Sequence, residues 1–79
     1  MKFIPVNVVC HAGYKADEYP VLFYRENKKY EIAEITDRWY HAEYHEDSQI
    51  ANYFKVLTSQ NEIFILKHVI DDDAWLLVI

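Results

Sequence analysis

The stretch Lys29-Tyr30-Glu31-Ile32-Ala33-Glu34-Ile35-Thr36-Asp37-Arg38-Trp39-Tyr40 can be read in two ways, and the choice settles the fold class. With a period of two, Tyr30 and Ile32 share one face of a strand and Ile35 falls on the other. One extra residue near Ala33-Glu34, a β-bulge, returns Ile35 to the first face and bends the strand. With a helical period, Ile32, Ile35, Trp39 and Ala42 form a stripe at i, i+3, i+7 and i+10. The flanking β-branched and aromatic residues favour the pleated reading. The sequence thus predicts a bulged strand running on through Thr36 to Tyr40, with a helix over the same residues as the competing form.

Toward the N-terminus, Phe3-Ile4-Pro5-Val6-Asn7-Val8-Val9-Cys10 reads as a first strand. Pro5 lacks an amide donor and marks an edge or a bulge there. The run Cys10-His11-Ala12-Gly13-Tyr14-Lys15-Ala16-Asp17-Glu18-Tyr19-Pro20 follows as a loop and holds the only glycine of the chain. A lone glycine in a strand-rich chain is expected where φ must be positive. Val21-Leu22-Phe23-Tyr24-Arg25 is a second strand, and Glu26-Asn27-Lys28 a tight turn in which Asn27 tolerates the left-handed conformation.

Toward the C-terminus, residues 41–50 are polar and read as a loop with room for a helical turn. Strands are expected over 52–58, 62–69 and 74–79, separated by Ser59-Gln60-Asn61 and by the acidic turn Ile70-Asp71-Asp72-Asp73. Six short strands joined by short turns predict a single all-β domain over residues 1–79: an antiparallel meander, as a curled sheet or small barrel. Ile63 to Leu66 and Trp75 to Ile79 are apolar on both faces, which fits a curled sheet or a face covered by a partner. The apolar last strand has to be tied down inside the sheet or paired with another subunit.

At 79 residues the core is small, but 52% of residues are hydrophobic and 16% aromatic, which excludes a disordered chain. The net charge of -5, from 13 acidic and 8 basic side chains, disfavours phosphate backbones and anionic membrane surfaces. No apolar run approaches the ~20 residues of a membrane span, and no signal peptide is visible. Cys10 is the only cysteine, so no intramolecular disulfide forms and a reducing, cytoplasmic setting is expected.

Several phrases together resemble a family of small uncharacterised bacterial proteins with a domain of unknown function. They are Val9-Cys10-His11-Ala12-Gly13-Tyr14 with Asp17-Glu18 and Pro20, Tyr30-Glu31-Ile32 with Glu34-Ile35, Asp37-Arg38-Trp39-Tyr40, Tyr53-Phe54-Lys55-Val56 and Asp73-Ala74-Trp75-Leu76. The resemblance spans nearly the whole chain. It implies a small β-rich cytoplasmic protein and brings no activity with it. At Asn27 a glycine would be expected in relatives.

No catalytic constellation is expected. Cys10 and His11 are adjacent on a strand and point to opposite faces, so they do not pair as nucleophile and base. Cys10, His11, His41, His45 and His68 match no zinc spacing, and Asp71-Asp72-Asp73 lacks the spaced carboxylates and glycine of a calcium loop. Neither a metal nor any other cofactor is expected. Trp39 is expected to anchor the core, with Arg38 pairing to Asp37, Glu18 or Glu34. Tyr14, Tyr19, Tyr24, Tyr40, Tyr44 and Tyr53 exceed what one small core can hold, so some are exposed. Exposed Tyr and Arg are favoured at binding hot spots. The expected function is therefore a non-catalytic protein-interaction module whose partner is another protein or a second copy. Its candidate binding residues are His11, Tyr14, Asp17, Glu18, Arg38 and Tyr40. One alternative is single-strand nucleic-acid binding through Lys15, Arg25, Lys28, Lys29 and Lys55. A second is metal or small-ligand binding at the Cys10-His11 loop.

Overall fold

The computed structural model describes residues 2–11, 19–42 and 50–79. Over these residues the chain is all β. Its seven antiparallel strands are β1 (Phe3–Pro5), β2 (Asn7–His11), β3 (Tyr19–Arg25), β4 (Lys28–His41), β5 (Ala51–Thr58), β6 (Ile63–Val69) and β7 (Ala74–Val78). The sheet order is β1-β7-β6-β5-β4-β3-β2. The two outermost strands are consecutive pieces of one N-terminal segment, so the sheet curls into a half-barrel whose ends meet at Val6. At that seam the Val6 amide donates to the Trp75 carbonyl at 3.2 Å. The expected first strand is thus two strands. Its break falls next to Pro5, where a missing donor was the sequence signal.

The helical reading of the middle segment is overturned: residues 28–41 are one strand. Its register against β5 shifts between Ile32 and Glu34 and again between Ile35 and Asp37. The first shift is the predicted bulge. The second brings Arg38 and Tyr40 to the face that carries Ile32 and Ile35. Up to Glu31 the strand pairs with β3, and from Ile32 onward with β5. The two bulges supply the bend between these pairings.

Registers give the inner face directly. One row runs Ile4, Leu77, Leu66, Phe54, Arg38 across five strands, and the next runs Trp75, His68, Asn52, Tyr40. Phe23, Phe54, Val56, Leu66 and Leu77 form the buried centre, with Tyr30, Phe64 and Trp75 packed against it. Phe23 stacks on Tyr30 at 4.9 Å and meets Phe64 edge-on at 5.4 Å. β7 lies between β1 and β6, which accounts for its apolar faces and its ending: Lys2 and Ile79 exchange both backbone hydrogen bonds.

Trp39 departs from the expected role as a core anchor. It is 38% exposed, because the register places it opposite Tyr53 on the outer face.

Candidate functional site

The end of β4 is where inner and outer rows both reach a sheet edge. Among the described residues, the pairing of β3 with β4 ends at Leu22 and Glu31, and no strand pairs with that side of β4 beyond Glu31. The amide polarity of this edge follows from two hydrogen bonds. The Arg38 N–H donates to the carboxylate oxygen Oδ1 of its own neighbour Asp37 at 2.8 Å, and the Thr36 hydroxyl donates to the Lys55 carbonyl at 3.2 Å. Backbone groups alternate sides along an antiparallel strand. Asp37, Trp39 and His41 therefore face β5, while the backbone groups of Arg38 and Tyr40 face outward from the sheet. The Asp37 carboxylate covers one of these outward donors, a common way of blunting an edge.

The side chains here lie back over β5. The Arg38 guanidinium sits 4.8 Å over the Phe54 ring, at the end of the inner row. Trp39 stacks on Tyr53 at 5.3 Å with rings 2° from parallel, and His41 meets Tyr53 edge-on at 6.4 Å. The ladder continues outward, since Lys67 Nζ stands 5.7 Å from the Tyr53 ring and 4.7 Å from Phe3. Tyr40 is 60% exposed, more than any other Phe, Tyr or Trp among the described residues.

Of the expected binding residues, Arg38 and Tyr40 stand together on the inner face of β4. His11 is exposed at the end of β2, tilted against Tyr19 at 5.1 Å, two strands away in the sheet order. Tyr14, Asp17 and Glu18, like Gly13, lie outside the described residues. Arg38 meets the Phe54 ring as a cation–π contact and, through its amide, Asp37; of the acidic partners expected for it, Glu18 lies outside the described residues.

A second polar group, weighed in the sequence only as a metal-ligand candidate, sits on the same inner row as Tyr40. His68 is buried, stacks on Trp75 at 4.2 Å, and its Nε2 lies 2.8 Å from Asp73 Oδ1. The signal for it is alternation: His68 falls in the inward series with Phe64 and Leu66. The acidic turn thus supplies a hydrogen-bond partner to a buried ring. An open cleft beside Val6 is lined by Asn7, Cys10, Asp73 and Trp75. Among the described residues no three His, Cys, Asp or Glu side chains converge as metal ligands. No helix among them is long and apolar enough to cross a membrane.

Comparison with protein-family models, curated proteins and solved structures returns no match for this chain.

Proposed function

We propose that the protein is a non-catalytic interaction module that receives an extended partner segment along the outer edge of β4. The observation that carries this reading is the coincidence of outward backbone groups at Arg38 and Tyr40 with exposed Arg38, Trp39 and Tyr40 side chains. Strand addition to such an edge draws affinity from main-chain hydrogen bonds and specificity from alternate side chains. Tyr, Trp and Arg are the residue types that dominate binding energy. Nucleic acid is less well supported. Lys29 pairs with Glu31 at 3.4 Å, Lys28 lies over the Tyr30 ring, and Lys55 stands opposite the acidic Asp37 in the register, so each of these three cations has an acid or a ring as its neighbour. We further propose a cytoplasmic setting and kinship with the small uncharacterised bacterial family. The first rests on the single cysteine, the second on the Gly13-Tyr14 and Asp37-Arg38-Trp39 phrases.

A displayed library of short random peptides tests the edge. Wild-type protein is expected to enrich peptides of alternating polar and β-branched residues. Arg38→Pro, which deletes an outward donor and leaves the β5 pairing intact, is expected to lose them at least tenfold. Absence of enrichment, or equal binding by a folded Arg38→Pro variant, overturns the reading.

A further inference from the structure

We propose that the strand added to the β4 edge is β4 of a second copy of this chain, antiparallel, about a two-fold axis at Trp39. This inference rests on the edge-docking reading above and names its partner. Two constraints fix the register.

The first is hydrogen bonding. The outward groups belong to Arg38 and Tyr40. In an antiparallel pair, directly opposed residues exchange both N–H···O bonds at every second position. An axis at Trp39 sets Arg38 of one copy against Tyr40 of the other, so each donates its amide to the other's carbonyl. The symmetric pair does the same. Asp37 Oδ1 leaves the Arg38 amide to make room, exchanging one local bond for this set.

The second is side-chain complementarity. Residues 37–41 pair with β5 without a register shift, so their faces alternate regularly. The axis at Trp39 places Arg38 beside Tyr40 on the inner face, a cation against an exposed ring. On the outer face it sets Asp37 against His41, and Trp39 against its own copy. The Trp39 pair is a non-hydrogen-bonded one, in which side chains come closest. The outer ladder Phe3, Lys67, Tyr53, Trp39 then continues across the axis into its mirror sequence. A segment whose charges and rings match themselves when reversed suits an isologous interface.

Sedimentation velocity and single-cysteine cross-linking test this together. Wild-type protein is expected to pass from monomer to dimer between micromolar and near-millimolar concentration, and Arg38→Pro to stay monomeric with unchanged circular dichroism. In a Cys10→Ser background, Trp39→Cys is expected to give a disulfide-linked dimer in air, because Cα atoms of such a pair sit about 4.5 Å apart. Asp37→Cys, about 13 Å from its copy in this register, is expected to stay uncross-linked. A wild type that is monomeric throughout overturns the second-copy inference. So does a dimer that survives in Arg38→Pro, or equal cross-linking at residues 37 and 39. If a monomeric wild type still selects edge-binding peptides, the edge reading stands and only its partner is wrong; if it selects none, both fall.

Discussion

Glu26 and Asn27 both sit in the left-handed region, at φ 51° and 64°, between the closing pair Arg25 and Lys28. A two-residue hairpin demands this, because positive φ at both central residues matches the twist of the flanking strands. Asn27 meets the demand at little cost, and its role was legible in the sequence. Glu26 carries no turn signal; the loop length imposes its conformation, and a non-glycine residue there gives up roughly 1–2 kcal/mol. Changing Glu26→Asn together with Asn27→Gly installs the residue pair that such turns prefer. The pair of changes is expected to stabilise the fold by about 1 kcal/mol, seen as a rise of about 4–8 °C in melting temperature. An unchanged or lower melting temperature would show that the turn is not strained. Asp73, at φ 48°, is the opposite case, since its carboxylate is engaged with buried His68 and a glycine there would lose that bond.

At the scale of the element, β4 explains why the candidate site could be read only in part. Arg38 and Tyr40 stood out as residue types, and one bulge followed from the clash between Ile32 and Ile35. The second bulge left no such clash: Thr36, Asp37 and Arg38 are all polar, so neither face protests in the sequence. Trp39 was therefore assigned to the core, although two bulges turn it outward onto Tyr53. Because Ala33 stands between the paired residues Ile32 and Glu34 and is itself unpaired, removing it leaves every later side chain on its own face. Deleting Ala33 is accordingly expected to leave a folded protein with a cooperative urea transition. Deleting Tyr53, which is paired on both sides of β5, reverses the faces of half that strand and is expected to abolish the transition. If the two deletions behave alike, the bulge assignment is wrong.

Across the whole molecule, hairpin neighbours account for most of the sheet, which is why the meander was legible from turns alone. The closure was not. Phe3 to Cys10 reads as one strand because its inward residues, Ile4, Val6 and Val8, all pack on the same core. The change of partner from β7 to β3 at Val6 depends on how far the sheet has curled, a property of the seven strands together. The β1–β7 seam is also the contact of longest sequence separation, so it carries the largest loop-closure entropy. Lys2 and Ile79 form a hydrogen-bonded pair, which makes Phe3 and Val78 the adjacent non-hydrogen-bonded pair, with Cα atoms close enough for a disulfide. In a Cys10→Ser background, Phe3→Cys with Val78→Cys is expected to oxidise within one chain and to stabilise the fold by about 2–4 kcal/mol over its reduced form. Both seam residues lie on the outer face, so the core rows are untouched. Refolding of the oxidised form is expected to be faster as well, because the tether brings the seam together before folding begins. Stopped-flow refolding with and without reductant measures both effects. Equal stability in the two redox states, despite a bond confirmed by mass spectrometry, would mean that the seam is already closed in the unfolded chain or is not where the half-barrel closes.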